Sequence, residues 1–189
     1  MTVPVPRRSS HGARNIEIKA RIESVEAMAP RVAALADQGP IEIEQDDTFF
    51  VCERGRLKLR TFSGTEGQLI FYRRADQAGP KESFFVISPT GSPDSLRDAL
   101  SLAYGIAGRV RKHRTVYLVG RTRVHLDRVE DLGHFLELEV VLADGESPEA
   151  GVKEARALMA ALGIADAQLI DGAYVDLRSR TGAPCSRPS

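Results

Sequence analysis

Charged and apolar residues alternate along several short segments of this chain. The segments NIEIKAR (15–21), RLKLR (56–60), TRVHLD (122–127) and FLELEV (135–140) each follow the pattern. Because successive side chains of a β-strand point to opposite faces, each segment has one charged and one apolar face as a strand. A single strand of this kind normally belongs to a sheet whose charged face contacts water. The pattern therefore predicts a fold rich in half-polar strands.

The charges on these faces are sorted by sign, which a face exposed to water does not require. Basic residues occupy the middle segments and acidic residues the first and last, although in RVRKHRTVYL (109–118) both faces carry basic side chains. If about eight strands close into a barrel, helices can cover the apolar outer face while the charged faces line an interior channel. The residues predicted to point into one channel are Glu17, Lys19, Arg56, Lys58, Arg60, Arg74, Arg123, Asp127, Glu137 and Glu139.

A charged channel restricts what the protein can bind. Unpaired buried charges are costly, so the channel must contain water and bind counter-ions. Clustered Arg and Lys favour a polyanion, and clustered carboxylates favour a hard divalent cation such as Mg²⁺ or Mn²⁺. A chain of phosphates that carries metal ions satisfies both requirements.

Helical periodicity separates the strands into two groups. We expect helices in 23–39, 92–105 and 147–163, the first interrupted or started near Pro30 and the second with an apolar stripe of Leu96, Ala99, Leu100 and Ala103. Strands are expected in 15–21, 41–52, 56–62, 67–74, 82–88, 109–120, 121–129 and 134–142. Residues 14–178 are predicted to form a single domain, while 1–13 and 179–189 are rich in Pro, Ser, Gly and Arg and are predicted to be flexible tails.

The bulk composition excludes several classes of partner. The 26 basic residues balance the 26 acidic ones, so the overall charge favours neither nucleic acid nor an anionic membrane as a partner. The N-terminal segment lacks the apolar core of a signal peptide, and no apolar stretch is long enough to span a bilayer. Cys52 and Cys185 suggest neither a disulfide framework nor a metal-ligand spacing. A cytoplasmic location is therefore expected.

Taken in order, several motifs resemble one known family. NIEIK, QDDTFF, GRLKLR, YRR, VRKHR, VHLDRVEDLG and FLELE are similar to the motifs of the CYTH family, the triphosphate tunnel metalloenzymes, and most similar to the class IV adenylyl cyclase-like proteins. The resemblance runs from about residue 14 to 178. It implies a closed eight-stranded antiparallel β-barrel with helices packed outside. It also implies that the interior binds a triphosphate and one or two divalent metal ions.

The resemblance assigns roles to individual residues. Glu17 and Lys19 match the acidic and basic residues of the family's N-terminal signature, and Asp127, Glu137 and Glu139 match its acidic, metal-side positions. Glu17, Glu137 and Glu139 are expected to bind metal, and Lys19 and Asp127 are expected to be catalytic. Asn15 departs from the family signature Glu-x-Glu-x-Lys, in which this position is acidic, and an amide is the weaker metal ligand. His125 shares the channel face, but we expect it to support neighbouring site residues without contacting the metal or substrate itself. The residues expected to bind substrate are Arg56, Lys58, Arg60, Arg74, Lys112, Arg114 and Arg123.

Several alternatives stay open from the sequence alone. Asp127 is equally compatible with a structural acid that holds Arg123 or His125. The resemblance favours a metal-dependent cyclase that converts ATP to cyclic AMP and pyrophosphate, with Phe49, Phe50 or Tyr72 available to contact the nucleoside. A triphosphatase that releases orthophosphate is the next alternative, and a non-catalytic binder of nucleotide or polyphosphate is the third. The expected partner is a nucleoside triphosphate or tripolyphosphate, and a homodimer is one possible assembly.

Overall fold

Eight strands form one closed barrel in the order β1-β5-β4-β3-β2-β6-β7-β8, and every neighbouring pair is antiparallel. The computed structural model describes residues 12–180, so most of both predicted tails, with Cys185, lies outside the described residues. The barrel confirms the predicted fold class. The strands are β1 (Ala13–Arg21), β2 (Gln38–Phe50), β3 (Arg56–Ser63), β4 (Glu66–Arg74), β5 (Lys81–Thr90), β6 (Ile106–Val119), β7 (Thr122–Val129) and β8 (Gly133–Val141).

The helices within residues 12–180 lie between and after the strands. They are α1 (Val25–Ala33), α2 (Pro93–Tyr104), α3 (Pro148–Leu162) and α4 (Tyr174–Arg180), with a short 3₁₀ helix at Asp166–Gln168. The expected interruption of the first helix at Pro30 is wrong. The Ser24 hydroxyl accepts a hydrogen bond from the Ala27 amide at the N-terminus, and the helix continues through Pro30. None of these helices has the length and apolar character needed to cross a membrane.

Helix α3 lies close against the barrel because its sequence permits a close approach. It begins after the Ser147 cap with Pro148 in its first turn and ends at Gly163, whose φ of 71° is left-handed. Gly151 faces β1, where a Cβ would lie only 2.6 Å from Ile16 Cγ1. A larger residue at position 151 would therefore push α3 away from the barrel.

The main apolar core lies outside the barrel wall, on the side formed by β1, β7 and β8. The apolar faces of these strands pack against α1 and α3 through Ile16, Ile18, Val25, Val32, Leu126, Leu136, Leu138, Met159 and Leu162. Burial of such side chains stabilises the fold by about 1.5–3 kcal/mol each. The apolar residues of the alternating pattern thus pack against the helices.

Helix α2 covers less of the barrel than its predicted stripe suggested. Leu96 and Leu100 are partly buried, but Ala99 and Ala103 are exposed, and Leu102 is 90% exposed. The helix borders β2, β3 and β4 near one end of the barrel. Helices therefore cover the outer wall of the barrel mainly on the side formed by β1, β7 and β8.

Strand register brings the charged faces together inside the barrel. Lys19 of β1 lies opposite Glu137 of β8, and Glu137 lies opposite His125 of β7. On the next strand pair, Arg114 of β6 lies opposite Asp127. Closure of the sheet therefore directs these polar side chains into a common interior.

Candidate active site

The barrel encloses a cavity of about 380 Å³, lined by side chains from every strand and by Tyr174 of α4. This volume lies within the range of about 300–1,000 Å³ that is typical of small-ligand sites. Its walls differ in character. Basic side chains come mainly from β3, β4 and β6, while His125 and two carboxylates come from β7 and β8. An apolar part of the wall is formed by Ile41, Ile43, Phe62, Ile70, Phe85, Ile87 and Val116.

Most of the predicted site residues line this cavity. They are Glu17, Lys19, Lys58, Arg60, Arg74, Lys112, Arg114, Arg123, Glu137 and Glu139. Arg56 and Asp127 are not among the lining residues. Arg56, the first residue of β3, instead lies 2.8 Å from Asp76 and 2.7 Å from Asp176 near the barrel end. It does not share the channel with the others, and its role in substrate binding stays a prediction.

Asp47 of β2 organises the basic side chains of β3 and was not singled out from the sequence. Its buried carboxylate accepts a 2.8 Å hydrogen bond from Lys58 Nζ and two 2.8 Å bonds from Arg60. Burial alone would raise the pKa of Asp47, but the charges of Arg60 and Lys58 hold it well below its usual range. Asp47 therefore stays ionised and holds both cations in place.

Asp127 of β7 also pairs with two basic side chains. The carboxylate is 0% exposed and accepts bonds from Arg114 at 2.6 Å, Lys112 at 3.2 Å and the Tyr174 hydroxyl at 2.8 Å. Burial opposes its ionisation, but the charges of Arg114 and Lys112 keep the pKa of Asp127 below its usual value. These contacts favour a structural role for Asp127, although it holds Arg114 and Lys112 instead of the expected Arg123 or His125. Its catalytic role stays a prediction.

The acids of β1 and β8 are paired with basic residues across the cavity. Glu17 forms an ion pair with Arg74. Glu137 lies 2.7 Å from Lys19 Nζ and 2.5 Å from Arg114. Burial opposes ionisation of Glu137, but the Lys19 and Arg114 charges hold its pKa far below the usual range. The interior therefore has alternating charges, which partly offset one another.

His125, Glu137 and Glu139 form the group that best fits a metal ion. One ligand atom from each of the three lies within 4.8 Å of the other two. The Nδ1 atom of His125 is buried and has no hydrogen-bond partner, although it faces both carboxylates. Burial and the Arg114 charge lower the pKa of His125, which favours the neutral imidazole that can bind a metal. The donor set therefore fits a divalent cation.

The charge of Glu139 also suits this role. Burial would raise the pKa of Glu139, but the charge of Arg123 is the main cause that lowers it to about 2. Glu139 therefore stays ionised at neutral pH. Glu17 lies beside Glu139 in the strand register, yet its carboxylate contacts Arg74 instead of joining the His125 group. Its role as a metal ligand stays a prediction.

Two further buried residues, Tyr174 and Lys81, were not predicted from the sequence. The Tyr174 ring lies beneath Lys19 Nζ at 3.8 Å and beneath Lys112 Nζ at 4.9 Å, so it contacts both ammonium groups through its π face. Lys81 is buried at the start of β5, opposite Glu17, and burial followed by the Arg74 charge lowers its pKa to about 8. The alternation Lys81-Ser83-Phe85 could have revealed Lys81, whereas α4 is too short for its periodicity to reveal Tyr174.

The structure is thus a closed antiparallel barrel whose interior combines a basic wall with a carboxylate cluster, an arrangement whose charges suit an anion together with a cation. The CYTH domain model matches residues 13–174, and the chain belongs to this family. The resemblance seen in the sequence motifs is thereby confirmed.

Individual relatives agree with this assignment. The chain is 26% identical over 171 residues to adenylate cyclase CyaB of Aeromonas hydrophila, with 86% of this chain and 87% of that protein covered. Its fold resembles the PH1012 protein of Pyrococcus horikoshii, with a TM-score of 0.76, 24% identity and coverage of 86% of this chain and 98% of that one. It also resembles a Hippeastrum protein, HpAC1, with a TM-score of 0.62, 19% identity and coverage of 92% and 100%. HpAC1 is named as an adenylyl cyclase but has a dominant triphosphatase activity.

Proposed function

We propose that this protein is a metal-dependent enzyme that binds a nucleoside triphosphate inside the barrel and converts ATP to cyclic AMP and pyrophosphate. The observation that carries the proposal is the pairing of two walls in one cavity. Lys58, Arg60 and Arg114 lie on the basic wall, whereas Glu137 and Glu139 lie on the acidic one. Phosphate oxygens would bind the first wall, and a metal ion would link them to the second.

The charges of the cavity suit phosphoryl chemistry. Such reactions depend mainly on positioning and on neutralising the charge that develops as a P–O bond breaks. Asp47 and Asp127 hold the basic side chains in place before substrate enters, so little reorganisation is needed. A divalent ion held by Glu137, Glu139 and His125 would supply further neutralisation of phosphate oxygens. Lys19, which contacts Glu137 and Tyr174, would contact the same phosphates.

Cyclisation also needs a place for the nucleoside. The apolar part of the wall, with Ile41, Phe62 and Ile87 among its members, could contact a base and ribose beside the charged region. The ribose 3′-hydroxyl would attack the α-phosphorus, the bond to the β-phosphate would break, and pyrophosphate would leave. The hydroxyl proton would leave with the pyrophosphate, while Lys58 would stay protonated between Asp47 and the phosphates.

Hydrolysis of a triphosphate to orthophosphate is the second candidate. The basic wall would bind tripolyphosphate as well as ATP, because the side chains involved recognise only phosphate. The triphosphatase activity described for the Hippeastrum relative supports the same alternative. It would require the cavity to direct water, instead of a ribose hydroxyl, at a phosphorus atom.

Product analysis separates these candidates. The protein is incubated with ATP or tripolyphosphate and either Mn²⁺ or Mg²⁺, and products are identified by ³¹P NMR and chromatography. Equal amounts of cyclic AMP and pyrophosphate would support the proposal, whereas orthophosphate without cyclic nucleotide would replace it with hydrolysis. Binding without any product would indicate a non-catalytic protein.

Paired variants show whether the cavity is responsible. Arg60→Met removes a cavity cation, and Arg111→Met removes an exposed arginine of β6 that contacts Asp46 outside the cavity. We expect a loss of about 100-fold in kcat/KM for Arg60→Met, the size typical of a lost charge-stabilising group, and no loss for Arg111→Met. Equal activity of the two variants would place the reaction elsewhere.

A further inference from the structure

Among residues 12–180, His113 and His125 each face a pair of carboxylates, but at different distances. On the outer face of β6, His113 Nδ1 lies 2.6 Å from Glu44 and Nε2 lies 2.6 Å from Glu42, which are hydrogen-bond distances. Inside the barrel, His125 Nδ1 lies 3.7 Å from Glu137 Oε2 and 3.9 Å from Glu139 Oε1. The inner histidine is therefore too far from either carboxylate to form a direct hydrogen bond.

The gap around His125 has the size that a shared metal ion requires. Metal bonds to imidazole nitrogen and to carboxylate oxygen are both about 2.0–2.2 Å long, so ligand atoms on one ion lie roughly 3–4 Å apart. His125 is only 5% exposed, and its Nδ1 has no hydrogen-bond partner, which is costly for a buried polar atom. A cation between the three groups would satisfy this nitrogen.

The neighbouring contacts leave one oxygen of Glu139 directed toward this space. Glu139 contacts Arg123 through Oε2, at 2.8 Å from Nη2, while Oε1 is the oxygen that faces His125. Glu137 contacts Lys19 through Oε1, and its Oε2 faces both Arg114 and His125. A metal ion would therefore bind Glu139 without breaking its ion pair but would compete with Arg114 for Glu137.

We propose that His125 Nδ1 is a direct metal ligand and that His125, Glu137 and Glu139 select a first-row transition cation such as Mn²⁺ over Mg²⁺. Imidazole suits transition metals, whereas Mg²⁺ prefers a shell made of oxygen. The inference deepens the proposed function, because it names the class of ion that the enzyme uses. It reverses the supporting role that the sequence suggested for His125.

Mn²⁺ binding without nucleotide is the first test. Bound Mn²⁺ is measured from the loss of the free-ion EPR signal for the unmodified protein, for His125→Asn and for His113→Asn. Since losing an outer-shell partner alone weakens metal binding by about 10- to 100-fold, His125→Asn should weaken it at least tenfold. His113→Asn should bind as tightly as the unmodified protein. Equal Mn²⁺ affinity in all three, or displacement of Mn²⁺ by an equal concentration of Mg²⁺, would overturn the proposal.

A spectroscopic test needs no variant and so does not depend on whether His125→Asn folds. Pulsed EPR of the unmodified protein with Mn²⁺ should show the modulation caused by a bound imidazole nitrogen, and the His113→Asn spectrum should be the same. A spectrum with oxygen ligands alone would remove His125 from the site. Product analysis tests the proposed function separately. If Mn²⁺ binds a nitrogen ligand but ATP is not turned over, the metal site stands and the proposed enzyme is refuted. If ATP is turned over but the Mn²⁺ spectrum shows only oxygen ligands, the enzyme stands and His125 is not a ligand.

Discussion

The Tyr174 hydroxyl donates a 2.8 Å hydrogen bond to Oδ2 of Asp127, a carboxylate that is wholly buried. Tyr174 begins α4, and its ring also packs 4.9 Å from the ring of Phe135, centroid to centroid. Burial and the Asp127 charge hold the pKa of Tyr174 well above its usual value, so the hydroxyl stays protonated as a donor. The last described helix is thereby joined to the side chains that organise the interior of the barrel.

We expect Asp127→Asn to destabilise the protein strongly. The change leaves Arg114 and Lys112 without their buried counter-charge, and removing one partner of a buried ion pair costs about 3–5 kcal/mol. Tyr174→Phe removes one hydrogen bond to a charged group and should cost about 1.5–3 kcal/mol. Urea unfolding measures both. An Asp127→Asn protein of undiminished stability but without activity would favour the catalytic role over the structural one.

Glu137→Gln and Glu139→Gln should both lose most Mn²⁺ binding but differ in stability. Glu137 is the buried partner of Lys19 and Arg114, so neutralising it should cost about 3–5 kcal/mol. Glu139 is more accessible than Glu137 and pairs with Arg123 alone, so its replacement should cost less than that of Glu137. Unfolding midpoints and Mn²⁺ titrations test the two effects separately. Full activity in Glu139→Gln would exclude this carboxylate from the metal site.

The closed barrel could be predicted because β3 and β8, and β7 as far as Asp127, carry charge on one face only. The sequence of β6 does not show which of its faces points into the barrel, because the outer face is charged as well. In the structure Arg111 and His113 lie outside and pair with acids of β2, which a single strand cannot reveal. Lys112 and Arg114 lie inside. Because charged residues of β6 pair with neighbouring strands on both faces, its sequence lacks the simple alternation of charged and apolar residues seen in the other strands.

The interior partners were harder to predict than the faces. Asp47 lies within QDDTFF, where two adjacent acids point to opposite faces and the strand register decides which one is buried. Asp46 contacts Arg109 outside, while Asp47 contacts Lys58 and Arg60 inside. Residue types alone indicate a charged channel. The pairing of each acid with a base depends on register between strands that are distant in sequence.

Asn15→Glu should couple stability to metal concentration. Asn15 is 3% exposed, shares the face of Glu17, and has a buried Oδ1 without a partner, so a carboxylate there would be an unpaired charge. Without metal we expect a lower melting temperature. If Mn²⁺ binds tenfold more tightly to the variant, saturating Mn²⁺ should stabilise it by about 1.4 kcal/mol more than the unmodified protein. Asn15→Ala is the uncharged control, and an equal Mn²⁺ response in both variants would place Asn15 out of reach of the ion.

The affinity for tripolyphosphate should fall as the pH rises above 7, because of Lys58. Burial, and then the Arg60 charge, lower the pKa of this ammonium group to about 7, even though Asp47 opposes the change. An anion binds the protonated form. Below pH 7 Lys58 already has its charge and binding takes up no proton there, whereas above pH 7 binding must also protonate it.

Calorimetry without divalent metal can test this from pH 6 to 9. Each pH unit above 7 should weaken binding by up to about tenfold through Lys58, until the pH reaches the higher pKa of the complex. Lys58→Arg keeps its charge throughout, so its affinity should lack this decline. Protonation of tripolyphosphate itself affects both proteins equally and cancels in the comparison. Parallel pH profiles for the unmodified protein and Lys58→Arg would mean that Lys58 does not titrate in this range or does not contact the anion.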